Sequence, residues 1–306
     1  MRPTSLNCVY DLALKDERVV FIGSDLGPGV LDDFKHNIPD RFFMEGVAEQ
    51  HIVGMAAGLA LEGFIPYVNT IATFLTRRCF EQNVIDLGLH KANVRLISNG
   101  GGTVYAPLGP THLAIEDIAI MRTIPNMTIV SPADADEMKR FMMQTVDYEG
   151  PIYIRLGKGY DPIVSRDDIP FKIGKAISMK EGTDVALVTT GISLALVLEA
   201  AESLEKKGIS CSVLHMHTIK PFDKESLLNS CEKVSAILTV EEHTIIGGLG
   251  SACAEVLLEE GMGNKKFKRI GINDVFPSGY GSQKEMMIRN GISVENIVKT
   301  IEKILQ

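Results

Sequence analysis

The sequence has 306 residues, of which 45% are hydrophobic and 23% charged, with a net charge of −8 and five scattered cysteines. That length predicts about two domains of ~150 residues each, and the composition suits a globular protein with a large core. No block of Lys or Arg, no apolar run of membrane-spanning length, no signal-peptide core and no CxxC pair is present, so we expect no nucleic acid or membrane partner and reduced thiols in a cytoplasmic protein.

In chain order, strands are expected at 19–22, 65–71, 94–98, 128–131 and 152–155, with helices at 47–61, 74–87, 113–122 and 133–145. Strand runs such as VVFIG and MTIV are apolar without alternation, as in sheets covered on both faces. Strand–helix alternation of this kind predicts parallel α/β architecture. Residues 157–175, with two prolines, three glycines and dense charge, read as a linker. The alternation then resumes with strands at 185–189, 212–216, 236–240 and 268–272 and helices at 194–206, 224–231 and 251–260, followed by helices from Lys284 and Val294. The expectation is therefore an α/β chain of two domains, each a mostly parallel sheet flanked by helices, at 1–158 and 176–306 with a linker at 159–175. The basic run 265–269 (KKFKR) reads as a solvated turn before a strand.

The stretch 41–61 (RFFMEGVAEQHIVGMAAGLAL) stands out, because its helix has almost no polar face and should be buried on most sides. Gly54 and Gly58, four apart, open one face to another backbone or a ligand. Glu49 enters this apolar helix, either as a first-turn carboxylate welcomed by the helix dipole or as a functional acid.

Other candidates carry two readings each. Gly100-Gly101-Gly102 suits a ligand near the backbone or a flexible loop. Within Gly109-Pro110-Thr111-His112, Thr111 is placed to cap a helix and His112 to sit at its N-terminus, as a turn residue or a catalytic one. Arg77, Arg78 and Arg155 are the candidate cations. Arg155 ends a strand before Gly157 and Gly159, either to bind an anion or to pair with a carboxylate. No Walker loop is present, since Gly157-Lys158 has Ile152 where the first glycine belongs. Gly248-Leu249-Gly250 has Cys253 in place of the third glycine of a dinucleotide fingerprint, and reads as a tight turn. His215 and His217 alternate on a strand without a third ligand nearby, so no metal site is assigned. Glu241-Glu242-His243 follows a strand end, where loop residues often serve ligands in parallel sheets, but reads by default as a surface turn.

These segments fall in an order that resembles the C-terminal half of transketolase and of 1-deoxyxylulose-5-phosphate synthase. GVAEQHIVGMAAGLA is similar to the segment bearing the cofactor-activating glutamate, ATFLTRRCF to the aromatic stretch beside the aminopyrimidine ring, and LGPTH to the active-site histidine motif. IPNMTIVSPADADEM, MHTIKPFD and TVEEHTIIGGLGSACAEVL extend the likeness over essentially the whole chain.

The resemblance implies a thiamine-diphosphate enzyme in which Glu49 hydrogen-bonds the aminopyrimidine ring and promotes its imino form. Phe74, Arg77 and Phe80 would surround that ring, His112 would act on substrate, and Arg155 with Arg2 would hold a sugar phosphate. The family's Gly-Asp-Gly loop for Mg²⁺ and diphosphate is absent, as no Gly-Asp dipeptide occurs in the chain. Ala106-Pro107-Leu108 and the triple glycine also depart from the substrate-binding residues of transketolase. The implied protein is thus the pyrimidine-binding subunit of a two-subunit transketolase-like transferase. A separate diphosphate-binding subunit would hold most of the Mg²⁺ site, in an α₂β₂ assembly. Related alternatives are a 2-oxo acid dehydrogenase β subunit and a deoxyxylulose-phosphate-synthase-like carboligase. A scaffold that keeps only the fold is the non-enzymatic one.

Overall fold

The computed structural model describes residues 1–24, 29–157 and 159–306, so the expected boundary residue Lys158 lies outside the described residues. The first half contains α1 (Arg2–Ala13), β1 (Val19–Gly23), α2 (Asp32–Asn37), β2 (Phe42–Met44), α3 (Glu49–Leu61), β3 (Ile65–Ile71), α4 (Phe80–Gln82), β4 (Arg95–Asn99), α5 (Asp117–Arg122), β5 (Thr128–Val130), α6 (Ala135–Met142) and β6 (Ile152–Leu156). The second contains β7 (Ile177–Lys180), β8 (Val185–Thr189), α7 (Ser193–Glu205), β9 (Cys211–His215), β10 (Thr218–Lys220), α8 (Lys224–Glu232), β11 (Ala236–Thr244), α9 (Leu249–Glu259), β12 (Lys266–Ile272), α10 (Gln283–Arg289) and α11 (Val294–Leu305).

One sheet runs β10-β5-β6-β4-β3-β1-β2, parallel except at β10, and the other β12-β11-β8-β9-β7, parallel except at β7. The chain is α/β with two mostly parallel sheets, as expected. Alternating side chains of the same strand feed opposite cores. Phe21 and Tyr67 pack with Leu6 and Phe141 of α1 and α6, whereas Ile22 and Val68 pack with Ile52 and Ala56 of α3. The second sheet is covered likewise, by α7 and α11 on one face and by α8 and α9 on the other. Both faces being dry explains the unalternated strand sequences.

The halves interlock. β10 leaves the second half to pair antiparallel with β5, Thr218 opposite Val130. The segment between the halves is held rather than loose. Asp134, which caps α6, also accepts from the backbone of Val164 (2.8 Å) and Ser165 (2.6 Å).

Four local expectations are corrected. Helix 74–87 is broken into π-helical Phe74–Arg78, α4 and π-helical Asn83–Leu89, and the Asn83 side chain donates to the Leu75 carbonyl at 2.7 Å. Helix 113–122 begins only at Asp117, because the Ala114 backbone pairs with Gly102 in both directions (2.8 and 3.0 Å). Glu241, Glu242 and His243 form no surface turn but continue β11 and are buried, Glu242 and His243 against Thr103 and Ala119 of the first half and Glu241 under the start of α9, where it accepts from Leu249 and Gly250 N–H. Finally, α3 is not buried on most sides: His51, Gly58 and Leu61 are exposed along one face, and nothing approaches Gly58.

Candidate active site

Glu49 is the first residue of α3, behind Ala48, and its side chain is only 2% exposed. Its Oε2 accepts from Arg78 Nη1 at 2.5 Å. The same guanidinium lies over the Phe74 ring, 4.4 Å from the centroid, a cation–π distance. Phe74 meets His112 edge-on, with ring centroids 5.3 Å apart. Residues 49, 74, 78 and 112 thus form one connected cluster. β3 leads directly into Phe74, so the cluster sits outside the carboxyl ends of parallel strands, where α/β sheets bind ligands.

His112 closes a short 3₁₀ turn, Pro110–His112, instead of opening a helix, and its Nδ1 shares a hydrogen bond with Thr111 Oγ1 at 2.9 Å. Arg77 supports that turn from below. It donates to the Thr111 carbonyl (3.1 Å) and to Thr73 Oγ1, and pairs with Glu116 at 3.0 Å. Arg77 therefore holds the loop, and the cation facing Glu49 and Phe74 is Arg78. Phe80, at the head of α4, is 37% exposed and makes no ring contact with Phe74 among the described residues.

Arg155 sits elsewhere, 5% exposed, and the structure favours its ion-pair reading. Nε and Nη2 bind both Asp117 oxygens at 2.7 and 3.2 Å, and Nη2 also donates to the Glu242 carbonyl at 2.9 Å. Burial alone would lower its pKa, but Asp117 raises it. A guanidinium so engaged has little left for a substrate anion. Arg2, at the start of α1, lies against Tyr105, and its buried Nε has no hydrogen-bond partner among the described residues.

The triple glycine is neither an open cradle nor a flexible loop. A side chain at Gly100 would collide with the Tyr105 ring, at Gly101 with Arg155, and at Gly102 with Glu242. Gly100 and Gly102 also take φ of +79° and +67°, which favour glycine. The loop lets the second half dock closely. Glu242 Oε1 accepts from Thr103 N and Oγ1 at 2.8 and 2.6 Å, and from Gln283 at 3.0 Å. Burial pushes its carboxyl up despite nearby Arg155. Tyr280 lies against Gly109, so the second half also lines the approach to the His112 turn. Sequence reasoning read Glu242 as a surface turn and missed Tyr280 and Gln283, because no local pattern marks contacts between residues 41 or more positions apart.

His215 and His217 sit in another buried polar cluster between the halves. His215 Nε2 lies 2.9 Å from Glu137 Oε2, and His217 stacks on Phe171 at 3.9 Å. Among the described residues, no group of three or more His, Cys, Asp or Glu is arranged to hold a metal.

Comparison with known proteins matches residues 1–160 to the family "Transketolase, pyrimidine binding domain" and residues 174–297 to "Transketolase, C-terminal domain". The chain is 34% identical over 307 residues to 6-deoxy-6-sulfo-D-fructose transketolase subunit SqwH of Clostridium sp. (strain MSTE9), covering 100% of this chain and 94% of that protein. It is 38% identical over 298 residues to a putative transketolase C-terminal section of Methanocaldococcus jannaschii, covering 96% and 92%. A solved structure titled "Split gene transketolase, inactive beta4 tetramer" superposes with a TM-score of 0.91 at 38% identity, covering 99% of this chain and 97% of that one. The chain therefore belongs to the transketolase family of thiamine-diphosphate enzymes, as its pyrimidine-binding and C-terminal domains.

Proposed function

We propose that this chain is the pyrimidine-binding subunit of a two-subunit enzyme that transfers a two-carbon ketol unit between sugars or sugar phosphates. The observation that carries this reading is the Glu49–Arg78–Phe74–His112 cluster. A nearly buried carboxylate beside an aromatic face fits the aminopyrimidine end of thiamine diphosphate: one group takes a ring-nitrogen hydrogen bond, the other a stacked ring. The diphosphate end finds no such fit. No metal-holding cluster exists among the described residues, and magnesium held through phosphate usually takes one or two carboxylates. Mg²⁺ and the diphosphate therefore belong mainly to a partner subunit.

When bound, the cofactor supplies the nucleophilic carbon that carries the two-carbon unit. Glu49 holds and returns a proton at the ring nitrogen, and Phe74 fixes the ring plane. Arg78 covers Phe74 and binds Glu49, so a stacked ring must displace it or use the other face. His112, with Nδ1 tied to Thr111, presents its other nitrogen for proton exchange with a sugar hydroxyl. Arg77 positions that turn, and Tyr280 borders it.

The exposed face of α3 supports the need for a partner. Val47, just before α3, is 66% exposed and Leu61, its last residue, 63%, with the exposed Gly58 open between them. The solved relative titled an inactive β4 tetramer agrees with a chain that needs a second subunit, and symmetry favours α₂β₂. Sulfofructose and apulose-phosphate transketolase subunits among the relatives, together with the altered substrate loops, favour an anionic sugar outside the standard pentose phosphate pair.

The test is reconstitution with a diphosphate-binding transketolase subunit, thiamine diphosphate, Mg²⁺ and ketose phosphate donors. The pair should turn over and this chain alone should not. Tight cofactor binding and ketol transfer by this chain alone would overturn the split-enzyme reading. Efficient turnover of xylulose 5-phosphate with ribose 5-phosphate would overturn altered specificity.

A further inference from the structure

β12 begins at Lys266, so the basic run 265–269 enters the edge strand of the second sheet instead of forming a solvated turn. Its neighbour β11 carries an acid that the sheet itself does not need. Glu242 is 2% exposed, and its side chain takes hydrogen bonds from neutral donors: Thr103 N and Oγ1, and Gln283 Nε2 at 3.0 Å from each oxygen. Burying an acid is costly, and burial pushes this carboxyl up. Joining the two halves does not call for it. The β10–β5 pairing and the Arg155 bond to the Glu242 carbonyl already do that, and apolar packing would serve without a buried acid.

What the carboxylate holds is one end of the loop that carries His112. Gly102 and Ala114 close that loop by pairing with each other, and Thr103 is its first residue. From Thr103, backbone bonds run in equal steps of three residues. Ala106 N donates to the Thr103 carbonyl (2.9 Å), Gly109 N to Ala106 (3.1 Å), and His112 N to Gly109 (3.1 Å). Each step is a tight 3₁₀-type turn, and no free residue lies between one step and the next. A displacement of Thr103 is therefore passed on to His112. The second half touches this ladder twice through one short segment. Tyr280 packs on Gly109, and Gln283, the first residue of α10, fixes Glu242 against Thr103. Gly102 leaves no slack there, since a Cβ on it would lie 2.5 Å from the Glu242 carboxyl carbon.

We propose that Glu242, oriented by Gln283, is a positioning residue for His112, so that the second half sets the geometry of proton exchange with the substrate. The chemical consequence rests on the ketol-transfer reading of His112; the anchoring does not. Misplacing a reacting group by about 1 Å costs up to ~10²-fold in rate. Glu242 lies behind the loop and not against substrate, so its loss should be felt in turnover and not in binding.

Glu242→Leu removes the acceptor, whereas Glu242→Gln keeps an oxygen for Thr103, and Gln283 can turn its own amide oxygen toward the new NH₂. In the reconstituted enzyme Glu242→Leu should lower kcat at least about tenfold with KM for the donor sugar within about twofold, the mark of an interaction that acts in the transition state. Glu242→Gln should recover kcat to within about threefold of wild type. Gln283→Met, at a half-buried position, should lower kcat in the same direction and keeps the test open if Glu242→Leu does not fold. In the free full-length chain, the nuclear magnetic resonances of the His112 ring, assigned by their loss in His112→Gln, should move in Glu242→Leu and Gln283→Met and return in Glu242→Gln. A lowered melting temperature with unchanged kcat and unmoved His112 resonances overturns the proposal and leaves Glu242 a staple between the halves. Glu242→Gln as slow as Glu242→Leu overturns it too. A wild-type reconstitution without ketol transfer sinks the functional reading instead, and the His112 resonances still decide the anchoring.

Discussion

Replacing Arg155 with Met separates a structural cation from a substrate-binding one. The guanidinium is 6% exposed against an Asp117 side chain at 0%, and it binds both carboxylate oxygens. Its removal leaves Asp117 buried with, among the described residues, only the Tyr153 hydroxyl (2.7 Å) as a hydrogen-bonded neighbour and His243 at 3.8 Å. It also strips a donor from the Glu242 carbonyl, across the junction between the halves. Breaking a buried pair from one side costs about 3–5 kcal/mol. At ~2–4 °C per kcal/mol for a domain of this size, melting should fall by about 6–20 °C. Replacing Asp117 as well, by Leu, should recover part of that loss, because no charge is then left unpaired. The assay is thermal unfolding by circular dichroism alongside KM for a sugar phosphate in the reconstituted enzyme. Melting within ~2 °C of wild type, together with a tenfold rise in KM, would refute the ion-pair argument and restore an anion site.

Glu49→Gln should fold normally yet lower turnover by ~10²–10⁴, the usual worth of a general acid–base step; near-wild-type kcat would remove Glu49 from the chemistry. Stability should fall in acid. Burial holds His217 down to about 3, and Glu137, despite a burial effect that would raise it, is held down to about 2 by His215 and His217. Both bind fewer protons folded than unfolded, so stability is lost as pH drops from about 6.5 for His217 and from 4.5 for Glu137. In a pH series of melting curves, Glu137→Gln should flatten the more acidic part. All five cysteines are buried and free, with burial pushing Cys79 and Cys231 up to about 12, so a thiol reagent at pH 8 should label none until the chain unfolds. Rapid labelling of Cys79 in the native chain would mean that the segment after Phe74 opens.

The sequence by itself determined the parallel α/β architecture, because unbroken apolar runs such as VVFIG have no other way to cover both faces of a strand. It also marked Glu49 and His112 as candidates, since a carboxylate in an apolar helix and a Gly-Pro-Thr-His turn are local signals, while Phe74 came only from the family resemblance. Tertiary structure decided what no local signal carries. Arg77 and Arg78 are neighbours of the same type, and the helical winding of Phe74–Arg78 turns one under Thr111 and the other toward Glu49. Arg155 ends a strand as an anion-binding residue would, yet Asp117, thirty-eight positions earlier, takes its charge. Glu242 and His243 look like a polar turn until the first half closes over them and lengthens β11. The triple glycine looks open until Tyr105, Arg155 and Glu242 fill the space its missing side chains leave. In each case the deciding interaction is long-range: the buried partner that fixes a polar residue's role lies far away in sequence, and only the packing of the two halves brings it near.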